Sequence, residues 1–296
     1  MLNTLKNFFN QQDIENAVRV GDLDYVFAKA HENDNLSKVT DFLQAHDIDV
    51  IEYTTKIYPR MFMHNTQLKY IDIPDSITSI GDYAFSGCSS LTSVTMPDSV
   101  TSIGDNAFFD CSNLTSVTIG NSVKTIGPSA FDRCSKLTSV TIPDSVTSIG
   151  NGAFEYCRSL TSVTIGNSVT SIGWYAFEDC MSLTSITIGN SVTSIGWSAF
   201  RGCSSLTSVT IPDSVTSIGN STFYNCRSLT SIEIPNSITD IDDNAFRYCD
   251  KLEEITYVGT KKEAVRSGIG NRSRKKWREG SSIHKIICND GVIDLQ

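Results

Sequence analysis

The sequence predicts an α/β repeat solenoid: a chain wound into stacked coils whose first segments together form a parallel β-sheet. Three observations predict it. Cys88, Cys111, Cys134, Cys157, Cys180, Cys203, Cys226 and Cys249 each lie 23 positions after the last. Leu91 to Leu252, Phe85 to Phe246 and Ile80 to Ile241 keep the same interval. Within each unit, apolar residues alternate with Ser and Thr over a short stretch, the pattern of a strand with one buried face. A unit this small cannot bury that face alone, so only stacking on copies of itself gives it a core.

Each element follows from the unit. Leu91, Val94 and Met96 are apolar, and Ser93 and Thr95 fall on the other side of the strand. Copies stacked at about 4.8 Å form a parallel sheet with a continuous apolar inner face. Pro97-Asp98-Ser99, or Gly120-Asn121-Ser122 in other units, then turns the chain. Pro pre-sets φ there, and Asp or Asn bonds the local backbone. Val100 and Ile103 form a second short apolar pair. Gly104 is expected in a conformation closed to residues with a Cβ; Asp242 replaces it in the last unit, and Asp tolerates the left-handed region. Ala107, Phe108 and Cys111 have the spacing of a helical or 3-10 turn across the far side of the core.

The repeated pattern L-x-x-V-x-I-P-x-S-V-x-x-I-G-x-x-A-F-x-x-C resembles the BspA-type class of leucine-rich repeats, common in bacterial surface antigens and expanded in some protists. The likeness covers roughly residues 66–258, with about ten positions agreeing in each of eight units. It implies a right-handed, curved solenoid used for adhesion or protein binding, and no catalysis.

The flanks read differently. Residues 1–48 hold four apolar stripes with helical spacing: Leu2, Leu5, Phe8 and Phe9; Ile14, Ala17 and Val18; Leu23, Val26, Phe27 and Ala30; Leu36, Val39, Phe42 and Leu43. They are expected to form a helical N-terminal segment, either a cap over the first coil or a docking module for a larger assembly. The solenoid is expected over 49–258, its first coil degenerate, with Ile57, Phe62 and Leu68 in register and Asn65 in place of cysteine. Residues 259–296 are expected to form a C-terminal cap, its last piece a β-hairpin around Asn289-Asp290-Gly291.

Composition narrows the function. Net charge is −9 and only 19% of residues are charged, which is no footprint for nucleic acid or an anionic membrane. The charge is uneven: residues 1–50 carry 4 basic and 9 acidic side chains, 51–250 carry 10 and 18, and 251–296 carry 10 and 6. The one basic run, Arg272 to Arg278, contains Trp277 and is expected to be a solvated face of the cap rather than a nucleic-acid contact. No apolar run reaches the ~18 residues of a membrane span. The first ten residues lack the apolar core of a classical signal peptide, so a cytoplasmic or virion location is expected.

The eight repeat cysteines are expected to be a structural ladder of reduced thiols acting as small hydrophobes. Cys157→Ser is accordingly expected to cost about 1–3 kcal/mol, because the hydroxyl has no assured partner. No C-x2-C pair suggests zinc, and no metal or cofactor is expected. Nothing resembling a nucleophile elbow, a phosphate loop or a carboxylate pair stands out, so the protein is expected not to be an enzyme. The repeat serines lack the uniqueness of a nucleophile.

A protein partner is expected at one of two faces. On the strand face, which leucine-rich solenoids present on their concave side, Ser139, Thr141, Ser162, Thr164, Ser185 and Thr187 form hydroxyl rows. At the variable edge, Trp174, Tyr175 and Trp197 bring hot-spot residue types into register. The expected function is a non-enzymatic protein–protein interaction module. Alternatives are a structural subunit of a virion or cell-surface array, docked by its N-terminal helices, and an adhesin exported by a non-classical route.

Overall fold

The structure, a computed structural model, describes residues 54–270 and 276–295. The helical segment expected over 1–48 lies outside the described residues, as does most of the basic run. From Ile57 to Ile241 the chain makes nine coils, each contributing one isoleucine to the same buried column. Each coil has three sides.

The first side is the predicted strand ladder. Ser93–Thr95, Ser116–Thr118, Ser139–Ile142, Ser162–Ile165, Ser185–Thr187 and Ser208–Thr210 each show outward Ser and Thr around a buried Val or Ile. Pairing is parallel and in register, as in Ser139 with Ser162 and Ser162 with Ser185. A Pro or Gly opens the following turn, closed by bonds such as Val100 N–H to the Pro97 carbonyl at 3.1 Å. The second side is a ladder of two-residue strands, seven of them joined from Lys56–Ile57 to Ser194–Ile195.

The third side is not the helical turn that the Ala-Phe-x-x-Cys spacing suggested. It is a run of tandem turns with two left-handed residues per coil, two before and two after the phenylalanine. Asn106 and Asp110 have φ of 54°, and Tyr175 and Asp179 have 59° and 53°. This alternation aims N–H groups along the stack: Tyr83, Phe85 and Gly87 donate to the carbonyls of Asp105, Ala107 and Phe109 in the next coil, at 2.8, 2.7 and 2.7 Å. A helical turn would spend those donors within the coil; here they join neighbouring coils and satisfy a buried backbone. Among the described residues, α-helix is confined to Lys261–Arg266 in the cap, so the array itself is a β-solenoid.

The recurring glycine of the units also has a different cause from the one expected. Gly150 has no left-handed φ; a Cβ there would stand 2.5 Å from Pro128 N and 2.6 Å from the Gly127 carbonyl carbon. The column needs glycine because neighbouring coils approach too closely for any side chain. Asp242 likewise does not adopt positive φ. It ends the column in the pairing of Ser217–Ile218 with Asp240–Ile241, and the close approach to the preceding coil has already relaxed one coil earlier, where the nearest backbone atom to a Cβ on Gly219 is the Ile195 carbonyl oxygen at 3.6 Å.

Inside, nine phenylalanines from Phe62 to Phe246 stack with ring centroids 5.0–5.6 Å apart. Trp277 ends the column edge-on against Phe246 at 6.0 Å. The strand Glu254–Val258 then continues the sheet, Lys285–Cys288 joins it in parallel, and Gly291–Asp294 turns back antiparallel as the expected hairpin. Asp290 Oδ1 accepts the N–H of Lys261 at 2.7 Å, tying the hairpin turn to the start of the cap helix.

Candidate functional site

Three surfaces follow from this winding. The first holds the residue just before the left-handed position of each coil: Pro59, Asp82, Asp105, Pro128, Asn151, Trp174, Trp197, Asn220 and Asp243. The side chains of Asp82, Asp105, Asn151, Trp174 and Trp197 each reach over the glycine of the next coil. The Cδ1 atoms of Trp174 and Trp197 lie so close to Gly196 and Gly219 that a Cβ there would meet them at 2.6 and 2.8 Å. The glycine column therefore seats the two indoles, which stack at 5.4 Å and 11°. They remain 50% and 53% exposed, with Tyr175 at 41% beside them. The sequence-predicted aromatic edge is thus assembled, and it walls a groove of about 390 Å³. Ser171, Ser194 and Ser217 line the groove's other side, Asn151 its N-terminal end and Asp242 its C-terminal end.

The second surface is the strand face. Ser139, Thr141, Ser162, Thr164, Ser185 and Thr187 are all exposed and sit side by side in register. Different threonines build the stack. The Thr115, Thr138 and Thr161 hydroxyls each donate to the carbonyl one coil back, at 3.0, 3.2 and 2.9 Å. Thr147, Thr170 and Thr193 do the same in a second row, each at 3.1 Å. These rows escaped the reading of the sequence, in which every Thr looked alike; the strict 23-residue recurrence of Thr beside the strand was the available signal.

The third surface is the turn ridge, where Arg and Tyr interleave. Arg133 lies 5.8 Å from the Phe109 ring and 5.2 Å from that of Tyr156, with Arg158 at 5.7 Å on Tyr156. Behind them, Asp132, Glu155 and Glu178 fill one position on three successive coils. Burial, opposed by the Arg133 guanidinium, pushes the Asp132 carboxyl up to about 6. Burial and the neighbouring Asp132 and Glu178 push Glu155 up to about 7. Glu178 is also raised by burial, although Arg201 pairs with it.

The eight repeat cysteines are buried in one column, and their thiols are not merely small hydrophobes. Each donates to the phenylalanine carbonyl of the coil before, as Cys157 Sγ does to Phe131 at 3.2 Å and Cys180 to Phe154 at 3.2 Å. Cys88, Cys111, Cys134, Cys203, Cys226 and Cys249 repeat the bond at 3.0–3.2 Å. All eight are buried free thiols, and burial pushes that of Cys88 up to about 12. No group of three or more His, Cys, Asp or Glu suited to a metal occurs among the described residues.

Compared with known families, residues 55–184 and 170–266 match the description "BspA type Leucine rich repeat region", in six copies. The chain belongs to the BspA-type leucine-rich repeat family. A search of the curated proteins finds no match. Among solved structures, this BspA-type chain is similar to a leucine-rich repeat protein of T. pallidum, at 25% identity and TM-score 0.48, covering 72% of this chain and 85% of that one. It is also similar to a leucine-rich cell surface protein of Faecalibacterium prausnitzii, at 27% identity and TM-score 0.38, covering 82% and 86%. No helix among the described residues of this repeat protein is long and apolar enough to cross a membrane.

Proposed function

We propose that this BspA-type array is a non-enzymatic protein-binding module whose contact residues are Trp174, Tyr175 and Trp197. One observation supports this above the others: two adjacent coils place half-exposed, mutually stacked indoles in a column that is elsewhere Asp, Asn or Pro. Stacking fixes both side chains before any partner arrives, which lowers the ordering cost of binding. Trp and Tyr are the residue types that dominate contact energies when buried at an interface.

The strand face supports a second contact. Its six exposed hydroxyls are held in fixed register by the sheet and make no contact that the stack requires. Uniform hydroxyl rows discriminate weakly between partners, so this face adds area rather than choice. The test is capture of partners from the source organism, with the full chain as bait beside Trp174→Ala/Trp197→Ala and Thr141→Lys/Thr164→Lys. The double tryptophan variant is expected to lose more than 2 kcal/mol of binding with the fold intact, as hot-spot truncation does. Equal capture by that variant would remove the aromatic edge from the account.

A further inference from the structure

We infer that the groove beside Trp174 and Trp197 receives an extended peptide segment of a partner, with a cationic side chain placed between Trp197 and Asp242. This rests on the protein-binding reading and names the chemistry of the partner. The groove touches five successive coils, from Ile149 and Asn151 to Asp242. At a strand spacing of about 4.8 Å it is roughly 19 Å long, the reach of about six extended residues. Ser171, Ser194 and Ser217 set one hydroxyl per coil along it, a polar wall opposite the indoles for the backbone of such a segment.

Charge selects the cation. Trp197 leans over Gly219, and Asp242 occupies the next place in that same column, one coil further on. An aromatic face and a carboxylate about one coil apart suit a guanidinium or ammonium group, which both attract. No basic side chain lines the groove, residues 51–250 hold 10 basic against 18 acidic groups, and beside the groove's C-terminal end the cap's Lys276 is already drawn to Asp243 at 3.6 Å, so this acidic edge holds a cation within the chain itself.

The test uses the full chain and an acetylated glycine–serine hexapeptide ending in one arginine, beside versions with neutral citrulline or with glutamate at that place. Tryptophan fluorescence reads the groove directly, because two of the three tryptophans wall it and the third, Trp277, is buried. Binding of the arginine peptide is expected to be at least fivefold tighter than that of the citrulline peptide at low salt. Asp242→Asn, read by fluorescence, and Trp174→Ala/Trp197→Ala, read by titration calorimetry because it lacks the two reporting indoles, each remove that preference; Asp75→Asn, the same charge change at the far end of the array, keeps it. Equal binding of arginine and citrulline, no binding of any peptide, or a preference that survives Asp242→Asn overturns the inference. So does quenching by a neutral hexasaccharide where the peptides give none. If the double tryptophan variant loses its partner while arginine and citrulline bind alike, the protein-binding reading stands and the cation falls. If the arginine preference holds and the partner is still captured by that variant, the outcome is reversed.

Discussion

Gly150 and Ser129 sit one coil apart and carry opposite constraints. A Cβ at Gly150 would collide with the backbone of the preceding coil, at 2.5 Å from Pro128 N. Gly150→Ala is therefore expected to cost about 3 kcal/mol, the upper range for overpacking, measured by urea unfolding. Ser129 already occupies the left-handed region at φ 52°. Ser129→Gly relieves that strain while loosening the unfolded chain, so stability is expected to change by less than about 1 kcal/mol. The reading of the sequence placed the conformational demand on the glycine column because glycine is its usual signature; close approach of coils leaves the same signature. Cys157 is a parallel case. A serine there finds a partner the sequence alone does not assure, the Phe131 carbonyl, so the cost of Cys157→Ser is lowered from about 1–3 kcal/mol to no more than about 1 kcal/mol. Cys157→Ala, which loses both the bond and buried volume, is expected to cost about 1–2 kcal/mol. Serine proving clearly worse than alanine would remove the hydrogen bond from the account.

The turn ridge is where electrostatics enters at the scale of an element. Asp132 and Glu155 have folded values of about 6 and about 7, above their ordinary 3.8 and 4.5. A raised carboxyl holds its proton longer folded than unfolded, so the folded state binds more protons between those values. The associated stability is present below about pH 4 and lost as pH rises to about 7. The melting temperature is accordingly expected to fall from pH 5 to pH 8, and Glu155→Gln to flatten that slope. A profile unchanged by Glu155→Gln would show that the ladder is solvated. At the C-terminal end, the phenylalanine column closes on Trp277, whose carbonyl also accepts the Phe246 N–H at 2.8 Å. Trp277→Ala uncovers the last ring and is expected to cost about 3–5 kcal/mol, read as a separate early unfolding step of the terminal coil.

Across the whole molecule, the period was legible because every coil must present the same shape to its neighbours, and that demand is written 23 residues apart. The hairpin around Asn289-Asp290-Gly291 was legible for a local reason, its turn chemistry. The tandem turns were not, since Ala-Phe-x-x-Cys fits a helical turn equally well and only the coil-to-coil N–H bonds decide between them. Trp174 and Trp197 were found by their register; the groove they wall was not, because its far side is made of repeat serines and its end of Asp242, a position read only as a missing glycine. The central claim is that this edge is the surface that meets a partner. Hydroxyl-radical footprinting of the full chain, alone and with its captured partner, tests it most directly, because exposed indoles oxidise readily and report their own burial. The account predicts strong protection of Trp174, Tyr175 and Trp197 on binding, with little change at Tyr70 at the far end of the array. Unchanged oxidation of both tryptophans in a saturated complex would contradict it.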